Sequence, residues 1–250
     1  MELTKDVGLL EGMPIAHIKS LNALVVADLH LGYEAYLAKS GIFAPKANLK
    51  KILEMLSSAF EKTKASNLII DGDIKNEFST VEPEEFNELY DLINFAKEKK
   101  ITLYLIKGNH DNFVERYKEP FRLNVHRQQA MIGKYLFFHG EEMPKIEKAE
   151  RKKVEMLIMG HEHPSIGITD NLGRREKLRC FLFGTYKSLP LLVLPAMGFY
   201  ASSTDLLLEP PERLLSPIFK HVDIEAMHAI AVGYGSTIDF GKIGKLKQLR

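Results

Sequence analysis

Five apolar runs in this chain stop at side chains able to bind metal ions. "VVADLH" ends with Asp28 and His30, "LIIDGD" with Asp71 and Asp73, and "LYLIKGNHD" with Asn109 and His110. "YLFFHG" supplies His139, and "LIMGHEHP" supplies His161 and His163. The other histidines, His17, His126, His221 and His228, stand elsewhere without such partners. Taken singly, each stretch has an ordinary explanation, because Gly, Asn and Asp are turn residues that tolerate left-handed backbone or cap a helix. Recurrence at five run ends is what points to chemistry.

Residues i and i+2 of an extended strand face the same side. Asp28 and His30 are therefore expected to reach one ion together, and His161 and His163 likewise in a similarly extended loop. Carboxylate oxygens, imidazoles and one carboxamide oxygen, with no thiolate among them, suit Mn²⁺, Fe²⁺ or Zn²⁺. The candidate ligands Asp28, His30, Asp73, Asn109, His139, His161 and His163 are more than one tetrahedral site uses. A carboxylate can bridge two ions about 3.5–4 Å apart, an arrangement that hydrolyses phosphoesters.

The elements that must position these groups are legible in the pattern of apolar residues. "MPIAHI" and "ALVVADLH" read as two strands, a possible hairpin. From Asn48 to Lys64, the spacing of Leu49, Ile52, Leu53, Leu56 and Phe60 predicts an amphipathic helix with Asn48 as its N-cap. "NLIIDGD" reads as a strand, "EPEEFNELYDLINFAKEKK" as a helix with acids at its start and lysines at its end, and "ITLYLIKGNHD" as the next strand. Strand and helix thus alternate through the first half, which predicts an α/β fold with a partly parallel sheet. Ligands in such folds bind beyond the carboxyl ends of the strands, so the run ends can converge.

The second half is richer in strands. "AMIGKYLFFHG", "VEMLIMGHEHPS", "KLRCFLFGTY" and "SLPLLVLPAM" predict a second, more antiparallel sheet packed on the first, with "EEMPKIEKAERKK" as the main helical exception. "SSTDLLLEPPERLLSPIF" reads as an excursion, and "MHAIAVGYGSTIDFGKI" as a last pair of strands turning at "GYGS". We expect one domain over residues 1–250, with a core of about 19–200 and a C-terminal extension, 201–250, packed on it.

Composition narrows the function classes. Net charge is +1, from 34 basic and 33 acidic residues, so no global field favours nucleic acid or anionic membrane. The single cysteine, Cys180, rules out an intramolecular disulfide and a thiolate zinc cluster; it is expected buried on a strand, in a reducing compartment. The N-terminus lacks a basic stretch followed by an apolar core, and no window has eighteen consecutive apolar residues. A soluble, cytoplasmic protein is the expectation.

The series "DLH", "GD", "GNHD", "H" and "GHEH", from about Val25 to Pro164, resembles the calcineurin-like metallophosphoesterases. "DLHLG", "GDIKN", "LPA" and the terminal "DFG" resemble a prokaryotic branch of predicted phosphoesterases within it. The resemblance implies a two-sheet αββα sandwich. It also implies that Asp28, His30 and His163 hold a first metal, that Asp73 bridges, and that Asn109, His139 and His161 hold a second. His110 would stay off the metals as the catalytic group, with Asn109 and His110 beside the substrate phosphate. The cofactors implied are two divalent ions, Mn²⁺ first, with Fe²⁺ or Zn²⁺ as alternatives.

Two such ions acidify a bridging water to hydroxide and neutralise the phosphoryl oxygens. His110 would then stabilise the transition state or protonate the leaving alkoxide, an effect of about 10²–10⁴-fold. The resemblance implies an acidic partner for His110, with Asp71 and Asp111 both candidates. Among the neighbours, Glu162 is expected as a solvated loop residue, and Lys75 as a phosphate contact or a surface lysine. The basic runs Arg174, Arg175, Lys177, Arg179 and Lys242, Lys245, Lys247, Arg250 read first as solvated faces and second as nucleic-acid contacts.

Three functions follow. The first is a phosphodiesterase acting on nucleotides or nucleic acid. The second is a phosphomonoesterase of small molecules or phosphoproteins. The third is a non-catalytic interaction scaffold, which would need a damaged ligand set, and no expected ligand is missing. The partner expected is the phosphoester substrate, with no membrane.

Overall fold

A computed structural model describes residues 1–78, 82–117, 123–169 and 172–248; Arg250 of the terminal basic run lies outside the described residues. The first sheet runs in chain order through β1 (Val7–Leu9), β2 (Ala16–Ile18), β3 (Ala23–Val26), β4 (Asn67–Asp71), β5 (Thr102–Ile106) and β6 (Asn124–His126). β1, β2 and β3 are antiparallel neighbours, whereas β3 to β6 are parallel. The parallel steps need crossovers. α2 (Asn48–Thr63) connects β3 to β4, following the short α1 (Tyr33–Lys39), and α3 (Pro83–Glu98) connects β4 to β5.

The second sheet contains β7 (Gln129–Ile132), β8 (Tyr135–Phe138), β9 (Met156–Met159), β10 (Pro164–Thr169), β11 (Arg175–Tyr186), β12 (Leu189–Val193) and β13 (Thr204–Asp205), with β14 (His228–Gly233) and β15 (Ser236–Lys242) joined through β11. Its order is β13-β10-β11-β12-β9-β8-β7, and it is the more antiparallel of the two sheets, as expected: β10, β12 and β14 run antiparallel to β11, β7 to β8 and β15 to β14. β8, β9 and β12 are mutually parallel, which directs their carboxyl ends the same way.

Side chains alternate across a strand, and that period sorts the apolar residues into three layers. Ala23, Val25 and Ile69 of the first sheet meet Tyr135, Phe137, Met156, Ile158 and Leu192 of the second, forming the layer between the sheets. Leu24, Val26, Leu68 and Ile70 point the other way, onto Ile52, Leu56 and Phe60 of α2 and Leu89, Leu92 and Ile93 of α3. Leu136, Phe138, Leu157, Met159, Leu191 and Val193 form the opposite outer face, covered by Leu214, Ile218, Phe219, Ile224 and Ile243. Burying each such side chain contributes about 1.5–3 kcal/mol. The fold is the expected two-sheet α/β sandwich. One outer layer, however, is built of short turns and the C-terminal helix α5 (Ile243–Gln248) instead of long helices.

Several local expectations change. Asn48 is not the N-cap of α2; Ala47 is, and Glu34 Oε1 accepts the amides of Ala47 and Asn48 at 3.0 and 2.8 Å. "EEMPKIEKAERKK" is helical only over α4 (Lys148–Arg151). Pro144 and the scarcity of apolar residues leave that segment little to bury. β1 and α1 were not expected from the periodicity, being too short to repeat it. No helix among the described residues is long and apolar enough to cross a membrane.

Candidate functional site

The carboxyl ends of β3, β4 and β5 in one sheet, and of β8 and β9 in the other, open at a common edge. The loops after them are stitched to one another by backbone bonds. Asp28 N donates to Gly72 O at 3.0 Å, and His30 N to Asp73 O at 2.9 Å. Gly160 N donates to His139 O at 3.0 Å, and Gly198 N to Asp28 O at 3.0 Å. Asp28, His30, Asp73, His161 and His163 all take positive φ, between 46° and 67°. Such backbone costs about 1–3 kcal/mol per residue, which the surrounding bonds must offset. The pairs Asp28/His30 and His161/His163 therefore converge through left-handed turns, not through the extended backbone expected from their spacing.

Two groups of potential ligand atoms result, each with all atoms within 4.8 Å of one another: Asp28, His30, Asp73 and His163, and Asp73, His139 and His161. Asp73 belongs to both. His161 and His163 fall in different groups, so they do not share one ion as the i, i+2 argument held. His30 Nε2 lies 3.3 Å from His163 Nε2, and His163 Nε2 lies 3.4 Å from Asp28 Oδ1. His139 Nε2 lies 3.2 Å from Asp73 Oδ2.

In His139 and His163 the ring nitrogen not facing the centre is engaged by a backbone carbonyl, whereas His30 Nδ1 is buried without a hydrogen-bond partner. His139 Nδ1 donates to Asp71 O at 2.9 Å, and His163 Nδ1 to Ser202 O at 2.8 Å. That fixes the tautomer and leaves each Nε2 lone pair pointing inward, as metal ligation requires. Asn109 Oδ1 and His139 Nε2 are buried without a hydrogen-bond partner. A buried acceptor left so is costly unless a cation or donor meets it. The donor set and these orphaned atoms fit divalent metal ions.

Electrostatics agree with that fit. Burial pushes the Asp28 carboxyl up, but His163 and His139 outweigh it and hold Asp28 below the usual carboxylate range. Asp73 is likewise lowered, burial being overcome by His139, His110 and His30. Burial, aided by neighbouring imidazoles, pushes His30 and His161 down to about 4, so both rings are neutral near pH 7 and able to accept a metal ion. His139 and His163 are raised, because Asp73 and Asp28 overcome their burial. Two buried carboxylates call for positive charge between them, whether protons on His139 and His163 or metal ions.

His110 stands beside these groups. Its backbone N donates to Asp73 Oδ1 at 3.0 Å, and its Nε2 lies 3.8 Å from Asp73 Oδ2. Its Nδ1 contacts the carbonyl oxygen of Asn76, so the orienting partner is a peptide group rather than the acid expected. Asp111 is occupied elsewhere: it accepts Ile74 N and Gly108 N at 2.9 Å each, tying the loops after β4 and β5. The Asp71 carboxyl is buried without a hydrogen-bond partner, and burial raises it well above the carboxylate range. Phe78 packs on the His110 ring, with centroids 3.5 Å apart.

A family model described as calcineurin-like phosphoesterase matches residues 21–150, just over half of the chain. The chain belongs to the calcineurin-like phosphoesterases. Among solved structures, Pseudomonas putida nuclease MPE matches with a TM-score of 0.62 at 18% identity, covering 92% of this chain and 94% of its own. That likeness shows a shared fold. Yfce, a phosphoesterase from E. coli, matches with a TM-score of 0.41 at 15% identity, over 86% of this chain and 96% of its own. Among curated proteins, no sequence match was found.

In this calcineurin-like phosphoesterase, the residues that hold the ligand loops were the hardest to foresee. Glu162 is not solvated: it is fully buried, and burial raises it to about 7. Its Oε2 accepts Ser216 N at 3.0 Å. Lys75 is also buried, not a surface lysine. Within the first basic run, Arg175 pairs with Asp205 at 2.6 Å, and Arg179 donates to the carbonyls of Ala196, Gly198 and Phe199 at 2.9, 2.6 and 2.9 Å. Those two are internal fasteners, neither a solvated face nor free for phosphates. Gly72 and Gly108 are required by close approach, because a Cβ would overlap the His139 ring at the first and Asp73 Oδ1 at the second.

A cavity of about 330 Å³ opens over the two groups, with His30, Asp73, His110, His161 and His163 lining its floor. Tyr33, Tyr36 and Phe78 give it an aromatic wall, and Ala201, Ser202 and Leu215 of the C-terminal segment close another side. A larger hollow of about 520 Å³ lies beside β11, β14 and the N-terminus. Among the described residues, its His228–Asp239 pair, 3.0 Å apart, gathers no comparable set of potential ligands.

Proposed function

We propose that this calcineurin-like phosphoesterase hydrolyses phosphodiesters of nucleotides or nucleic acid with two divalent ions. Asp28, His30 and His163 would hold one ion, Asn109, His139 and His161 the other, and Asp73 both. The observation that carries the reading is that Asp73 belongs to both ligand groups, while His110 stands beside it without joining either. Mn²⁺ is the first choice of metal, because the oxygen and imidazole donors suit it, with Fe²⁺ or Zn²⁺ next. When bound, such ions acidify water and neutralise charge on the phosphoryl group.

The chain's own residues would do the rest. The Asn76 carbonyl holds the proton of His110 on Nδ1 and directs Nε2 to the cavity. Protonated at both nitrogens, the ring can pass its Nε2 proton to the leaving alkoxide. Phe78 covers one ring face and fixes its plane. The aromatic wall of Tyr33, Tyr36 and Phe78 favours a planar group on the ester, since bases stack on Tyr and Phe for about 1–3 kcal/mol each. That preference supports nucleotide diesters over small monoesters. We infer a single working domain over 1–250 and a cytoplasmic setting, where the lone thiol of Cys180, buried on β11, stays reduced.

The test is hydrolysis of bis-p-nitrophenyl phosphate beside p-nitrophenyl phosphate. Metal-stripped protein is titrated with Mn²⁺, Zn²⁺, Fe²⁺ and Mg²⁺, with His110→Ala as control. Metal-dependent diester cleavage that collapses in the variant is the expected result. Turnover of the monoester alone would replace the reading with a phosphatase, and no turnover despite two bound metals would return the scaffold.

A further inference from the structure

We propose that Ser216, in the C-terminal extension, is a positioning residue for the ligands His139, His161 and His163. The side chain reaches one ligand loop and the backbone reaches the other. Ser216 Oγ donates to Gly140 O at 2.6 Å, one residue beyond His139. Ser216 N donates to Glu162 Oε2 at 3.0 Å, between His161 and His163. Both Ser216 and Glu162 are buried, with 1% and 0% of their surface exposed, so no water competes for these bonds.

The loops concerned cannot hold their shape by sheet pairing alone. β8 and β9 pair only as far as Phe137 with Ile158, and beyond that a single bond, Gly160 N to His139 O, links them. His161 and His163 both carry positive φ, a conformation that relaxes unless the surroundings oppose it. The extension supplies that opposition. Thr204 N donates to His163 O and Thr204 Oγ1 to Glu162 O, each at 3.0 Å, while Ser202 O accepts from His163 Nδ1. These contacts hold the β9 loop alone. Ser216 is the member that also grips the β8 loop, and thereby sets the distance between His139 and the other two rings.

This clasp acts on groups that do not touch substrate. Its signature is therefore metal affinity, for which removal of an outer partner typically costs about 10–100-fold. The inference rests on the two-ion reading above, and the experiment separates the two. Mn²⁺ binding to metal-stripped protein is measured by calorimetry for the wild type, Ser216→Ala, Glu162→Ala and Glu162→Gln, alongside the melting temperature of each metal-free form. Ser216→Ala and Glu162→Ala are expected to weaken Mn²⁺ binding at least about tenfold. Glu162→Gln, which keeps an oxygen for the Ser216 amide, is expected to stay near the wild type. If Ser216→Ala does not fold, the contrast between Glu162→Ala and Glu162→Gln decides. Wild-type affinity in both alanine variants, even with lowered melting temperatures, overturns the positioning role and leaves the two-ion site intact. A wild-type protein that binds none of Mn²⁺, Fe²⁺ and Zn²⁺ overturns both.

Discussion

Phe199 donates its backbone N–H to Asn48 Oδ1 at 2.8 Å, joining the loop after β12 to the first turn of α2. The same carboxamide donates through Nδ2 to Leu29 O at 3.1 Å. One buried side chain thus holds the loop carrying Asp28 and His30 from below. Asn48→Ala is expected to destabilise the protein by about 2 kcal/mol, since it leaves the Leu29 carbonyl and the Phe199 amide unpaired. Urea unfolding measures the change, and Mn²⁺ binding should weaken with it.

His110→Ala and Asp73→Ala should separate turnover from metal binding. The first is expected to keep its metal content and lose about 10²–10⁴-fold in turnover. The second should lose the paired ions. Metal analysis after dialysis checks both, and loss of metal from His110→Ala would place that ring among the ligands.

Removing metal should also be visible in stability. A ligand that binds only the folded state stabilises it by about 2.7 kcal/mol at a hundredfold excess over Kd. Adding Mn²⁺ to stripped protein is expected to raise the melting temperature of the wild type and leave that of Asp73→Ala nearly unmoved.

Gly108→Ala places a Cβ against Asp73 Oδ1 and within 2.7 Å of both Asp73 N and His139 Cδ2. Backbone and the buried His139 ring cannot both yield. We expect a loss of about 1–3 kcal/mol in stability, typical of overpacking, together with lost activity. Denaturant titration and diester hydrolysis on the same preparation check the pair of effects.

One contributor to the pH dependence of stability lies far from the candidate site. Burial pushes Asp6 up, but hydrogen bonds from Ser20 and Tyr135, with Lys134 nearby, hold it at about 2 against an ordinary 3.8. A folded-state pKa below the unfolded one stabilises at higher pH. The contribution is complete above the unfolded value and disappears as pH falls through the folded one. Asp6→Asn is expected to cost about 2 kcal/mol at neutral pH. The gap between variant and wild type should close between about pH 4 and pH 2, as followed by acid unfolding.

Much of this architecture is legible in the residues because it obeys short-range rules. Short, continuous apolar runs identified the buried strands "YLFF" and "MLIM", and a period of 3.6 with acids first and lysines last identified the helix Pro83–Glu98. α1 and β1 escaped because seven and three residues hold too few repeats to stand out. Glu162 and Arg179 were misjudged for a different reason. Charged residues are normally at the surface, and nothing local says that Ser216 or the carbonyls of Ala196 and Gly198 will come to meet them.

The chemistry on offer is legible in the residues themselves: which seven side chains could bind metal, that each follows an apolar strand, and that His110 sits one residue beyond Asn109. Type and order along the chain suffice for that. Long-range packing alone places Asp73 in both groups of potential ligands, separates His161 from His163, and brings a peptide carbonyl to His110. Those outcomes depend on left-handed turns and on bonds between residues far apart in the chain. Such contacts exist only once both sheets have packed and the strand ends have been brought together.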